Sequence, residues 1–356
     1  MKKSSDIYLF EDKPLFGLDI GHNTIRVMQL DAAHKTPRLR GYGSVVFDPA
    51  AVVDGVIVKP EILSRAVVHL FNKGLVGDVS TKRTAVALPA NYAFTRAVRL
   101  PKIGPDDIAE AVQTEAEQYI PGHAENLYLD YTILREDSEG IEVFIVAMPK
   151  AIVDSYLVLT RMLGLEAVLF DTSIGASARL FALDPQSNVP SLLIDFGTGS
   201  TDIAIFNRGL LVMGTVSFGG DDITKAIARR LNLTPEEALV LKSRYGLATS
   251  PVQKQIAAAM ESALDLLKKE IRRVLRYYEQ RYEKEAPIGQ IVIMGGGANM
   301  PGVADYLTDR LRLPTRAFDP APFIDFGHLR HFYNADRASF VTAAGLAITD
   351  PTEIFV

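Results

Sequence analysis

The chain has 356 residues, no cysteine and no tryptophan, and its 38 Lys and Arg against 43 Asp and Glu leave a formal charge of −5. Without thiols there is no disulfide framework, thiolate metal site, iron–sulfur cluster or thiol nucleophile, and the mild acidity argues against broad neutralisation of nucleic-acid phosphates. With 48% apolar and 23% charged residues, the chain reads as an ordinary globular protein, long enough for about two domains.

Residues 1–14 (MKKSSDIYLFEDKP) open with two lysines but carry Asp6, Glu11 and Asp12 where a secretory signal has its apolar core. They read as a polar lead-in. No stretch reaches the roughly 18 uninterrupted apolar residues of a membrane span, and the terminal DPTEIFV is too short for an amphipathic anchor. A cytoplasmic protein without direct membrane insertion is the expectation.

An internal repeat decides the architecture. Residues 15–30 (LFGLDIGHNTIRVMQL) and 192–212 (LLIDFGTGSTDIAIFNRGLLV) share one plan: apolar strand, Asp, apolar residue, Gly, small polar turn, second strand. Asp19 and Asp195 lie 176 residues apart, about half the chain. That spacing predicts two related domains, each opening with a β-hairpin.

Between the hairpins, 84–88 (TAVAL) reads as a short strand, and 106–119 (DDIAEAVQTEAEQY) as a helix with Ile108, Ala111, Val112 and Ala116 on one face, ended by Pro121-Gly122. Residues 127–134 and 141–147 flank a polar turn and predict a hairpin. A helix over 150–163 follows. Together these predict a compact α+β unit over 93–169, inserted in the first half.

The second half predicts a helical region over 222–284. In its last helix Ile256, Met260, Leu264, Leu267, Ile271, Val274, Tyr278 and Tyr282 recur every three or four residues and form a core stripe. Lys268, Lys269, Arg272, Arg273 and Arg276 lie off it, as a solvated side. Pro287 closes the helix, and 290–294 (QIVIM) predicts a buried strand.

Three glycine turns follow apolar strands: Asp19-Ile20-Gly21-His22-Asn23-Thr24, Asp195-Phe196-Gly197-Thr198-Gly199-Ser200-Thr201-Asp202, and Gly295-Gly296-Gly297-Ala298-Asn299. Such turns bring backbone N–H groups close to ligand oxygens. A carboxylate at each strand end suits a hydrated Mg²⁺ or an attacking water, so Asp19 and Asp195 are the candidate catalytic and metal-positioning residues. Neither GxxxxGK[ST] nor GxGxxG occurs, and no GxSxG elbow or HExxH spacing is present. Arg26 reads either as an edge charge or as a phosphate contact, and His22 as a loop cap or a nucleotide donor.

This combination resembles the actin, hexokinase and heat-shock ATPase superfamily, and within it the FtsA-like branch and the PilM family of type IV pilus assembly. The resemblance rests on FGLDIG, EAEQYIP (115–121) with LDY after it, LLIDFGTGSTDIAIF, FGGDDIT (218–224) and IVIMGGGANMPGVADYL. It implies an α/β fold of actin-like duplicated ribonuclease-H-type domains around a nucleotide cleft, with a small α+β domain of SHS2 type inserted in the first. The first half would span 15–92, completed by about 170–188 and 338–356; the insert 93–169; the second half 189–337, with a helical subdomain at 225–289.

ATP and Mg²⁺ are the implied cofactors. Asp19, Gly21, Asn23 and Thr24 would form the first phosphate loop, and Asp195, Gly197, Thr198, Gly199 and Thr201 the second. Gly295, Gly296, Gly297 and Asn299 would form the adenosine loop, with Gly219 and Gly220 beside ribose and phosphates and Lys242 flanking the adenine. Two departures stand out: His22-Asn23 replaces a small hydroxyl pair, and Leu239 stands where relatives carry a ribose-contacting acid, which leaves Glu236 or Glu237 as substitutes.

The implied partner is the cytoplasmic N-terminal tail of a PilN-like inner-membrane protein of type IV pilus or related type II secretion assembly, held near 115–121. The implied location is the cytoplasm, peripheral to the inner membrane through that partner. The resemblance leaves self-association and ATP hydrolysis open. Two other functions remain: a sugar- or acetate-type kinase of the same superfamily, and an FtsA-like division protein.

Overall fold

The computed structural model describes residues 13–32, 34–120, 124–283, 285–333 and 336–350. Pro121, Gly122 and 351–356, which entered the sequence-based expectations, lie outside them, as do 1–12.

The chain opens with β1 (Phe16–Ile20), β2 (Thr24–Asp31) and β3 (Arg38–Val46), an antiparallel meander. A two-stranded turn, β4 (Val52–Val53) and β5 (Val56–Ile57), leads to α1 (Pro60–His69), β6 (Leu75–Gly77) and β7 (Arg83–Leu88). Every residue of β1 and β7 is buried. That is why both are mostly apolar without alternation: they pair in parallel and are covered on both faces.

The inserted unit follows as β8 (Phe94–Leu100), α2 (Ile108–Tyr119), β9 (Leu127–Asp137) and β10 (Gly140–Pro149). Its sheet runs β8-β10-β9, and Ile108 and Val112 of α2 pack on Val98, Ile141, Val143 and Ile145. The unit stops at β10, short of the 169 expected. The next elements, α3 (Lys150–Met162), β11 (Glu166–Thr172) and α4 (Ser173–Phe181), return to the first half. Ile152, Tyr156 and Leu159 of α3 share a core with Phe16, Leu18 and Val86, and β11 pairs in parallel with β7. Periodicity shows that 150–162 is amphipathic; it does not say which sheet receives the apolar face.

The second half contains β12 (Ser191–Phe196), β13 (Thr201–Phe206), β14 (Leu210–Val216), α5 (Gly220–Leu231), α6 (Pro235–Arg244), α7 (Gln253–Arg281), β15 (Gln290–Met294), α8 (Val303–Leu311), β16 (Thr315–Ala317) and α9 (Val341–Ala347). Its sheet runs β14-β13-β12-β15-β16; the first sheet runs β11-β7-β1-β2-β3-β6. In each, three antiparallel strands are followed outward from the first by two parallel ones, so the duplication read from the two hairpins extends to whole sheets.

Helices α4 and α9 join the halves. A Cβ on Gly345 of α9 would fall 1.8 Å from the carbonyl oxygen of Ala176 in α4, so the backbones touch. Around them one core cluster draws Met28 and Leu30 from the first sheet and Leu193, Ala204 and Val292 from the second. The insert also reaches the second half. Glu142 of β10, 3% exposed, accepts from Arg135 Nε at 2.7 Å and from the Tyr282 hydroxyl at 3.1 Å, just past α7. A buried carboxylate is tolerable there because two donors hold it. Desolvation beside Glu142 pushes the Tyr282 hydroxyl up to about 12.

Candidate functional site

The two hairpins repeat down to single hydrogen bonds. Gly21 N–H donates to Thr24 O at 2.9 Å and Gly197 N–H to Ser200 O at 3.0 Å, closing the same tight turn. In the ladders Asp19 pairs with Arg26 and Asp195 with Asp202. The 176-residue offset therefore relates Gly21 to Gly197, Thr24 to Ser200, and Arg26 to Asp202.

That last exchange separates the two carboxylates electrostatically. Burial raises the pKa of Asp19, and Arg26, whose Nη1 lies 3.6 Å from Asp19 Oδ2, opposes the shift. Asp195 is pushed up to about 7 by burial first, then by the negative charges of Asp202 and Asp19, against a 3.4 Å hydrogen bond from the Ser177 hydroxyl. Asp202 is raised to about 6 by burial, and donations from Thr215 at 2.7 Å and Ser173 at 3.2 Å oppose the rise. Asp19 and Arg26 of the first hairpin thus lie near enough to act on Asp195 of the second.

The second turn is backed by the loop that starts α5. Gly220 N–H donates to Gly197 O at 3.0 Å and Asp221 N–H to Thr198 O at 2.9 Å. Glycine is required at 219, where a Cβ would lie 2.3 Å from Thr198 O. Thr201 is fully buried and its hydroxyl donates to Phe218 O at 2.8 Å, so its side chain holds this loop and does not line the cleft. The Lys242 ammonium donates to Gly220 O and to Thr224 Oγ1, both at 2.8 Å, and burial lowers its pKa. It tethers α6 to the start of α5 beside the phosphate turns, where the sequence suggested an adenine-flanking position. Glu237 caps α6 through Thr234 N–H at 2.9 Å and so does not replace the acid absent at Leu239. Leu239 itself is 49% exposed.

The third turn lies against the second hairpin. Gly295 has φ +74°, and a Cβ there would meet Asp195 Oδ1 at 2.3 Å; Gly297 lies against the Phe196 ring. Gly296 is open on its Cβ side, with only the Ser339 hydroxyl nearby at 3.6 Å. Among the described residues Asn299 Nδ2 is buried with no hydrogen-bond partner. In the first loop the Thr24 hydroxyl donates to Asn23 Oδ1 at 3.0 Å. His22 crosses toward the second half: Nδ1 lies 3.1 Å from where a Gly199 Cβ would be, and Nε2 lies 3.9 Å from Asp221 Oδ2.

The structure thus brings together Asp19, Gly21, Asn23 and Thr24 with Asp195, Gly197, Thr198 and Gly199, Gly219 and Gly220, and Gly295, Gly296, Gly297 and Asn299. The donor set suits a nucleotide: two glycine turns with free tips, an orphaned amide beside the third, and carboxylates at the strand ends where Mg²⁺ could be held through water. Among the described residues no group of three or more His, Asp or Glu is arranged to ligate a metal directly. Sequence reasoning missed Asp202, Ser173, Ser177 and Thr215 as parts of the site. Asp202 was within reach, because the repeat offset carries Arg26 onto it; the others come from α4 and β14 and had no local signal.

The paired sheets, the crossed helices at their junction and the facing hairpins define an actin-like fold. Solved structures bear this out: MreB5 of Spiroplasma citri bound to ADP matches with a TM-score of 0.55 at 14% identity over 97% of this chain and 98% of that one. The ethanolamine utilization protein EutJ of Carboxydothermus hydrogenoformans matches with a TM-score of 0.56 at 14% identity over 94% and 90%. Within that fold, residues 17–350 match the family described as type IV pilus assembly protein PilM, and the chain belongs to it. A solved PilM-PilN type IV pilus biogenesis complex contains a chain similar to this one, with a TM-score of 0.81, 25% identity, and 95% and 98% of the two chains covered. Cell division protein FtsA of Bacillus subtilis is 30% identical over 155 residues, 38% of this chain and 35% of its own length. FtsA of Streptococcus pneumoniae is 22% identical over 85% of this chain and 75% of its own length. No helix among the described residues is long and apolar enough to cross a membrane.

Proposed function

We propose that this PilM-family chain binds Mg-ATP between its two hairpins and uses the nucleotide to set how closely its halves approach. Through the insert it would hold the cytoplasmic tail of a PilN-like inner-membrane protein of the pilus machinery. The observation that carries the nucleotide reading is the pair of matched turns, Gly21 to Thr24 and Gly197 to Ser200, with Asp19 and Asp195 at adjoining strand ends. A ligand gripped by both halves favours the closed arrangement in proportion to its preference for that state. The partner reading rests on the family and on the similar chain in the PilM-PilN complex.

In this reading the backbone N–H groups at the turn tips receive phosphate oxygens, Asn299 Nδ2 meets the adenosine end, and Asp19 and Asp195 hold Mg²⁺ through its waters. Magnesium supplies charge neutralisation for the phosphates. Asp195 is also the group placed to accept a proton from a water between the hairpins, so any hydrolysis would depend on it.

The test is a thermal-shift titration with Mg-ATP, Mg-ADP and Mg-GTP. At a hundredfold excess over Kd a specific nucleotide stabilises the fold by about 2.7 kcal/mol, and Asp195→Ala is expected to abolish the shift. No shift with any nucleotide at millimolar concentration would defeat the reading. Pull-down with tails of pilus inner-membrane proteins addresses the partner, and binding to none of them would return the kinase and division readings to consideration.

A further inference from the structure

Helix α7 carries seven Lys and Arg against four Asp and Glu, and they are not spread evenly around it. Its buried stripe, Ile256 to Tyr278, faces the second sheet. On the opposite crest lie Lys269, Arg272 and Arg276, exposed at i, i+3 and i+7. Among the described residues none of the three has a hydrogen-bond or ion-pair partner, whereas neighbouring Lys268 is paired with Asp265 and Arg273 with Glu270. Asp265, Lys268, Lys269, Arg272 and Arg276 line an open hollow of about 330 Å³. Along one flank of the crest run Leu266, Arg273 and Tyr277, at i, i+7 and i+11, with Leu266 54% and Tyr277 42% exposed.

Core packing accounts for the stripe but not for this face. Three unpaired cations in a row repel one another, and an exposed leucine and tyrosine aligned beside them gain nothing from water. A surface that supplies phosphates at one level and apolar material just below satisfies both rows.

We propose that this face of α7 is an adsorption surface for anionic phospholipid, with Lys269, Arg272 and Arg276 on headgroup phosphates and Leu266 and Tyr277 at the interface. The bilayer is favoured over nucleic acid because the crest is flanked by an exposed aliphatic side chain, Leu266, for which a phosphate backbone has no use. The contact is peripheral: the apolar side of α7 is committed to the core, so nothing inserts. Attraction of a few cations is weak and salt-sensitive by itself. It rests on the functional reading above only for its role, as a second contact that would add to tethering through a membrane-anchored partner.

The experiment is flotation of the full chain, without nucleotide or tail, with vesicles of phosphatidylcholine alone or containing roughly one-third phosphatidylglycerol. Binding is expected only to the anionic vesicles, falling as salt is raised. The triple variant Lys269→Glu, Arg272→Glu, Arg276→Glu should lose about tenfold or more, and Leu266→Ala with Tyr277→Ala a smaller part. The same three positions changed to Gln serve as a second variant if charge reversal impairs folding, with circular dichroism as the check. Equal binding to both vesicle types, unchanged binding by the variants, or binding to duplex DNA but not to anionic vesicles would each overturn the proposal. A failed nucleotide titration would leave the vesicle result standing, so the two readings fall separately.

Discussion

The two hairpins share a turn, a register and a position in their sheets, yet they hold their carboxylates in opposite ways. Opposite Asp19 stands Arg26; at the equivalent place opposite Asp195 stands Asp202. Duplication accounts for the geometry, and one exchanged residue for the electrostatics. In the first hairpin a cation offsets part of the burial that raises Asp19. The second concentrates negative charge in a buried place, which raises both pKa values and leaves the site in need of a proton or a cation.

That contrast can be broken by substitution, and the two hairpins should respond with opposite sign. The largest effect is expected from Arg26→Ala, which leaves Asp19 buried without its cation. Loss of one partner of a buried pair costs about 3 to 5 kcal/mol, read as a lower midpoint in urea unfolding at pH 8; an unchanged midpoint would mean that solvent already screens the pair.

Asp195→Asn should stabilise the protein measured without nucleotide. The folded carboxyl, with a pKa of about 7 against 3.8 unfolded, keeps a proton that the unfolded chain releases between those values. Wild-type stability therefore falls as pH rises from about 4 to about 7, and the penalty is complete above that. The variant escapes it, gaining up to about 4 kcal/mol at pH 8 and almost nothing at pH 4. The same variant should lose the Mg-ATP thermal shift. A gain that was equal at both pH values would remove the electrostatic explanation.

Asp202→Asn follows the same direction with a smaller gain, up to about 3 kcal/mol at pH 8, because the Thr215 and Ser173 hydroxyls already offset part of the burial. Its penalty should develop between about pH 4 and about pH 6 in a stability-against-pH series. The smallest change is expected from Thr215→Val, which removes the shorter of those two donors. It should cost about 1 kcal/mol or less at pH 8 and move the Asp202 titration upward in carboxyl-resolved NMR.

Much of this was legible in the chain. The repeat around Asp19 and Asp195, the strand at Gln290–Met294 and the stripe of α7 were all local patterns, and all appear as such. The insert was recognisable from its hairpin and helix, but not its end. Residues 150–172 have the amphipathic helix and apolar strand that either unit could use, and only packing on Phe16, Leu18 and β7 assigns them. The destination of Lys242 was hidden for a related reason. A lysine on a helix can reach several neighbours, and the chosen one, Gly220 O, depends on how α6 lies over the start of α5.

The sequence by itself determined the duplicated strand–turn–strand units, their spacing, their glycines and the chemistry at their tips, because those properties belong to contiguous residues. The tertiary structure alone decided that Ser173 and Ser177 of α4 reach Asp202 and Asp195. It also brought α4 and α9 into backbone contact between the sheets. Each of these joins residues distant along the chain, and the burial created by that joining makes the exchange of Arg26 for Asp202 count.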